Sequence, residues 1–228
     1  MTVPAARVST APPGDRRARL VAAALELLEE HGPDSVTTRK VSQRIGVSSQ
    51  VLYSDFGSIG ALVQAMVEEG FAALDATLGA VKTTDDPVHD IVALALAYRR
   101  FALERPRLYA AMYAMTQPGG YRRTGEELRA GTDAFMHHVH AAQRAITAGR
   151  LEADDAVRIG LAMWTAVHGW VAMELAGYAG VFPGSVLDNF AFAVQHVLEG
   201  FGETAERCRT AVESAMMSAP AHDDGDHR

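Results

Sequence analysis

A single cysteine, Cys208, in 228 residues leaves this chain neither an internal disulfide nor a multi-cysteine metal site, and it lies among charged residues as a bystander thiol. No stretch approaches the roughly 18 uninterrupted apolar residues that a membrane span needs. The Ala- and Pro-containing start also lacks the compact apolar core of a secretory signal, so a cytoplasmic protein with no membrane partner is expected. Strand-like alternation is nowhere sustained, and no segment repeats. A Gly-rich phosphate loop, a nucleophile elbow and a paired-cysteine motif are all missing, so neither a catalytic residue nor a cofactor is expected. Positive charge is scarce as well. The net charge of −7 argues against a protein that coats nucleic acid or anionic membrane nonspecifically.

What remains is an ordinary globular composition, 48% hydrophobic and 21% charged, with its charge unevenly distributed. Through Phe56 there are seven Lys and Arg against six acids; beyond it, fourteen face twenty-two. A weakly basic head thus precedes an acidic body. Leu20, Ala23, Ala24, Leu27 and Leu28 recur at helical spacing from about Asp15 to His31, where Gly32-Pro33 stops the helix. Further helices are predicted over residues 58–80, 87–105, 106–115, 125–148, 154–177 and 185–208, with Gly or Pro near most breaks. The fold class is all-α. Residues 1–14 and 215–228, rich in small, polar and charged residues, read as disordered tails.

The stretch TTRKVSQRIGVSSQVLYSDF, residues 37–56, holds two short polar-capped helices. Thr37 or Thr38 is a good N-cap, Val41 and Ile45 share a helical face, and Gly46 supplies the freedom of a tight turn. A second helix starts near Ser48, with Val51 and Leu52 packing back while Ser49, Gln50 and Tyr53 face outward. A helix-turn-helix offers polar side chains to a DNA major groove in this way, and a plain structural hairpin shares the pattern.

From about Arg16 to Val67 the residue order resembles the DNA-binding head of the tetracycline-repressor (TetR) family: an Ala/Leu-rich first helix, HG, TTRKVSQRIGVS, then Leu52-Tyr53-x-x-Phe56 followed by Leu62. The resemblance implies a three-helix head over residues 15–62 that binds operator DNA, and a larger helical effector-binding and dimerisation domain over 63–214. It places Thr38, Arg39, Ser48, Ser49, Gln50 and Tyr53 at the DNA. Thr38 and Arg39 would hold phosphates, Ser49 and Gln50 would reach base edges, and Tyr53 would touch backbone or a thymine methyl. Two positions depart from the family pattern: Asp55, where many members carry an aromatic residue or His, and Ile59, where many carry Lys. Asp55 is open to pairing with Arg39 or Lys40, or to capping the helix that begins near Ser58.

In the body, Val186, Leu187, Phe190, Ala191, Val194, Val197, Leu198 and Phe201 form an apolar stripe, and the helix over 154–177 is apolar nearly all round. These two helices are expected to make a four-helix homodimer interface. Within WTAVHGWVAMELAG, Trp164 and His168 lie one turn apart and Gly169 permits close approach of a helix. This stretch resembles the Trp-x-x-x-His-Gly signature of one branch of these regulators. That resemblance implies a small-molecule effector pocket walled by Tyr98, Phe101, Tyr109, Met112, Tyr113, Phe135, Trp164 and His168. A competing metal reading rests on His137, His138, His140 and His168. Only His137 and His140 share a face, and no metal is expected. The function read from the sequence is a transcriptional repressor released from a pseudo-palindromic operator by a small, largely apolar effector.

Overall fold

The computed structural model describes residues 13–125, 127–129, 131–152 and 155–219, and among these no strand occurs. Ten α-helices follow in order: α1 (Pro13–His31), α2 (Thr38–Arg44), α3 (Ser49–Phe56), α4 (Ile59–Gly79), α5 (Pro87–Glu104), α6 (Pro106–Met112), α7 (Thr132–Thr147), α8 (Ala156–Leu175), α9 (Val186–Glu199) and α10 (Ala205–Ser218). The all-α expectation holds. The tails expected at 1–14 and 215–228 lie outside the described residues up to residue 12 and from residue 220. Within the described residues α10 continues to Ser218, because Ala211, Val212 and Ala215 are buried along one of its faces.

Two helix boundaries differ from the sequence reading by more than three residues. The segment 185–208 is two helices, since the periodic apolar pattern runs on through a break at Gly200-Phe201-Gly202. Gly202 has φ +98°, and a Cβ there would lie 2.5 Å from Glu152 Cγ, so only glycine fits this corner. The second difference is α7, which begins at Thr132 rather than near 125.

The chain divides into two compact units, Met1–Ala73 with Arg105–Ala130, and Leu74–Glu104 with Gly131–Arg228. In the first, α1 packs on α2, α3 and α6. Leu20, Ala24, Leu28, Val36, Val41, Leu52 and Leu62 are fully buried there, each large side chain contributing about 1.5–3 kcal/mol. Gly46, at φ +73°, makes the turn between α2 and α3. In the second unit α5 packs on α7, α8 and α10, and α8 packs on α7 and α9. Its centre holds Ile91, Val92, Ala95, Tyr98 and Phe101 from α5 with Ile159, Met163 and Val167 from α8.

Glycine also permits a close helix crossing in the second unit, at Gly160. A Cβ on Gly160 would meet Val139 Cγ2 at 2.9 Å and the Val139 backbone at 3.3 Å, whereas one on Gly169 would meet nothing within 4 Å. Gly160, rather than Gly169, brings α7 and α8 together within the chain.

Candidate DNA-reading face and ligand-binding cluster

The Thr37 hydroxyl accepts from the Lys40 backbone N–H at 3.3 Å and starts α2, leaving Thr38, Arg39 and Lys40 in its first turn. Ser48 is the N-cap of α3, and Leu52 is fully buried beneath that helix. Ser48, Ser49 and Gln50 are exposed and Tyr53 is 52% exposed, so the polar positions singled out in sequence share an outward surface. Arg39 and Lys40 are exposed and engage no acid among the described residues. Other cations of the head are engaged. Arg44 bridges Glu26 at 3.0 Å and Glu30 at 2.6 Å.

Asp55 belongs to this second, self-satisfied group, and neither partner expected for it is the one it has. Arg16 grips its carboxylate with two parallel bonds, Nε to Oδ2 and Nη2 to Oδ1, both 2.6 Å. Arg17 donates to the Asp55 carbonyl and lies 4.0 Å above the Phe56 ring. The Arg16 hydrogen bonds, reinforced by its charge, hold the Asp55 carboxyl below the usual carboxylate range against the opposing effect of burial. Capping of α4 falls to Ser58, whose hydroxyl accepts from the Ala61 N–H at 3.0 Å. Asp55 therefore ties α1 to α3. Ile59 is a packing residue: a Cβ on Gly119 would lie 3.1 Å from Ile59 Cγ1, so the Pro118–Gly120 turn rests on it.

In the second unit, Trp164 and His168 lie one turn apart on α8. The Tyr98 hydroxyl is 3.1 Å from His168 Nδ1. Trp164 meets Tyr98 edge-on at 5.1 Å, Phe135 at 5.7 Å and His138 at 5.8 Å between ring centroids. Burial lowers the His168 pKa. His138 is 1% exposed, and burial with the adjacent His137 pushes its pKa from 6.5 down to about 4, so its ring is neutral at pH 7. The Ala134 carbonyl offsets little of this shift, and Nε2 has no hydrogen-bond partner among the described residues.

Of the eight expected wall residues, Tyr98, Phe135, Trp164 and His168 are brought together, and Phe101 is buried in the same unit. Tyr109, Met112 and Tyr113 belong to the first unit, where Tyr113 packs on Tyr109 and Phe71. A cavity of about 720 Å³ lies in the second unit, but none of the eight residues lines it. Of the competing metal ligands, His137 pairs with Asp75 at 2.9 Å.

The apolar stripe expected at the dimer interface also needs correction. Phe190, Ala191, Val194 and Leu198 are buried against their own unit, and Val186, Leu187, Val197 and Phe201 are half-buried. On α8 and α9 the large apolar side chains left exposed are others, Val157, Leu161 and Met173 on α8 and Phe192 on α9.

Residues 20–66 match the family model described as bacterial regulatory proteins of the tetR family, and residues 91–197 match that of the tetracyclin repressor-like C-terminal domain. The chain belongs to the TetR family. It is 28% identical to a helix-turn-helix-type transcriptional regulator of Mycobacterium tuberculosis over 164 residues, 71% of each chain. To the class A tetracycline repressor of transposon 1721 from Escherichia coli it is 36% identical over 100 residues, 44% of this chain and 45% of that one. A solved structure from Rhodococcus sp. RHA1 superposes with a TM-score of 0.70 at 28% identity, covering 82% of this chain and 95% of that one.

The chain is thus a TetR-family transcriptional regulator with a helix-turn-helix head and a helical C-terminal domain, in a family that regulates transcription rather than catalysing a reaction. No helix among the described residues is long and apolar enough to cross a membrane. His138 is the residue of the TetR-type body that sequence reasoning passed over. In sequence it stands out only as a candidate metal ligand; the signal that locates it is Gly160, whose close crossing with Val139 sets α7 against α8.

Proposed function

We propose that this TetR-family regulator is a homodimeric repressor that binds a pseudo-palindromic operator and leaves it when a small, largely apolar effector binds. The observation that carries the reading is the sorting of the head's cations: Arg16 and Arg44 are held by acids of the head, while Arg39 and Lys40, beside the exposed Ser48, Ser49, Gln50 and Tyr53, are not. Thr38 and Arg39 hold phosphates, Ser48, Ser49 and Gln50 meet the groove, and Tyr53 contacts backbone or a thymine methyl. The exposed residues Val157, Leu161, Gly169 and Met173, each four positions from the next or a multiple of four, supply an apolar seam for a second copy, flanked by Phe192. Two-fold symmetry then sets two reading heads on two half-sites.

The effector enters the Trp-x-x-x-His-Gly cluster by parting Tyr98, Phe135 and Trp164, with Phe101 beyond them. Neutral His138 and His168 offer it the polar anchors. Because Trp164 and His168 stand on the helix that carries the seam, filling the cluster shifts that helix against its symmetry mate and changes the spacing of the heads.

Selection of duplexes from a random pool by the full chain tests the DNA reading. Enrichment of a two-fold symmetric site is expected; a site without symmetry, or no enrichment, overturns it. Screening small phenols and aromatic alcohols for release of the selected duplex tests the effector reading, with His168→Ala keeping the dimer and DNA affinity but blunting release. A His168→Ala chain that instead dissociates or unfolds makes His168 a core residue.

A further inference from the structure

The 720 Å³ cavity of the second unit has a chemistry unlike that of the aromatic cluster. Its walls are the end of α4 with the loop after it, one face of α5, the start of α9 and the end of α10. Helix α5 is buried almost all round, and His89, Ala93, Leu96 and Arg100 are the half-buried face it turns to the cavity. The floor is apolar, with Val81, Leu187 and Met216 joining Ala93 and Leu96.

The charge of the wall is what singles it out. Beyond Phe56 acids outnumber Lys and Arg twenty-two to fourteen, yet among the described residues no Asp or Glu lines the cavity, while Lys82, His89, Arg99 and Arg100 all do. Arg99 is answered by Glu174, with bonds of 2.8 and 2.5 Å. Arg100 has only a loose approach to Glu104 at 3.8 Å, and Lys82 has no partner among the described residues. The nearby Asp86 and Asp90 cannot neutralise Lys82, because Arg150 and Arg144 already hold them.

We propose that this cavity binds an amphipathic organic anion, its apolar body on the α5 face and its carboxylate between Lys82 and Arg100. A volume of about 720 Å³ suits a single small molecule. The two cations supply the charge-assisted bonds that fix one end of it. The site is separate from the aromatic cluster proposed for the effector and takes a different class of ligand.

The test is calorimetric titration of decanoate, below its micelle concentration, into the full chain, with decanol as the uncharged counterpart. No DNA is present, so the outcome stands apart from that of the repressor reading. Saturable binding of one decanoate per chain is expected, with decanol at least about tenfold weaker. Lys82→Gln and Arg100→Gln, both at surface-reaching side chains, should each weaken decanoate about tenfold. Ala93→Trp should fill the cavity and abolish binding, while Trp164→Phe leaves it intact. Equal binding of decanol overturns the proposal, as does unchanged affinity in Lys82→Gln, or loss in Trp164→Phe. Joint substitution of Asp223, Asp224 and Asp226 by Asn is a further arm: about tenfold tighter binding would assign the cavity to the chain's own acidic C-terminal segment, which follows the cavity-lining Ala219, and would also overturn it.

Discussion

Among the described residues, the two compact units of this TetR-family chain each pair some cations and leave others loosely held or without an acid, the second along a cavity at Lys82 and Arg100, the first on its outer face. In the second, Arg99, Arg144 and Arg150 are held by Glu174, Asp90, Asp86 and Glu203, and the Glu203 side chain is 1% exposed. In the first, Arg16 and Arg44 are bound just as firmly, but Arg39 and Lys40 stand on the surface beside the serines and glutamine of α3. A buried ion pair holds a protein's own helices in register, whereas an exposed cation without an acid is available to a phosphate. The difference lies in what surrounds the unanswered cations, apolar cavity wall in the second unit and exposed serines and glutamine in the first.

The largest effect should come from breaking the pairing inside the second unit. Glu203→Leu leaves Arg150, 9% exposed, with only Asp86, and should cost about 3–5 kcal/mol in urea unfolding without altering DNA affinity of the folded chain. A cost below about 1 kcal/mol would mean that the pair does not hold α10 in place.

Acid should expose the same unit next. The folded pKa of His138 is about 4 against 6.5 unfolded, so between those values the unfolded chain binds a proton that the folded chain refuses. Stability is then fully present above about pH 6.5 and should fall by about 3 kcal/mol as pH drops to 4. The lowered pKa of His168 acts in the same direction. Urea midpoints across this range check it: His138→Leu should remove most of the fall, and an unchanged profile would place the titration elsewhere.

In the head, Asp55→Asn should lower the melting midpoint by roughly 5 °C, because Arg16 loses its carboxylate. Asp55 has a depressed pKa, so its contribution is present above the ordinary carboxylate range and lost as pH falls through its folded value. Its salt dependence of DNA binding should match the wild type; a steeper slope would put Asp55 at the phosphates. Smaller still is the stability effect of Arg39→Ala, which should leave melting unchanged and reduce the salt slope by about one.

Much of this was legible in the sequence where the signal is local. Gly32-Pro33 ends α1, the Pro87 and Pro106 helices start as read, and the polar positions of α3 face outward because Leu52 must face in. The role of Asp55 is not legible in sequence, because its partner Arg16 lies 39 residues away and no periodicity reports a contact between helices. Periodicity also identifies a face without saying what covers it. The stripe of Phe190, Val194 and Leu198 is real, but its own unit buries it, and the large apolar side chains that α8 leaves exposed are Val157, Leu161 and Met173. Gly160 and Gly169 look alike in sequence, and only packing distinguishes them. The aromatic walls divide for a related reason: α6, with Tyr109 and Met112, clusters with the first unit, a choice that nothing local to its sequence encodes.

The central claim is that the exposed polar face of α2 and α3 reads DNA, with its positioning and specifying residues distinct. Competition binding of Arg39→Ala and Gln50→Ala on the selected duplex and on a scrambled duplex of equal length tests it most directly. Arg39→Ala should weaken both duplexes about equally, while Gln50→Ala should weaken the selected duplex by about 1–3 kcal/mol and spare the scrambled one. Wild-type affinity and preference in both variants would contradict the account.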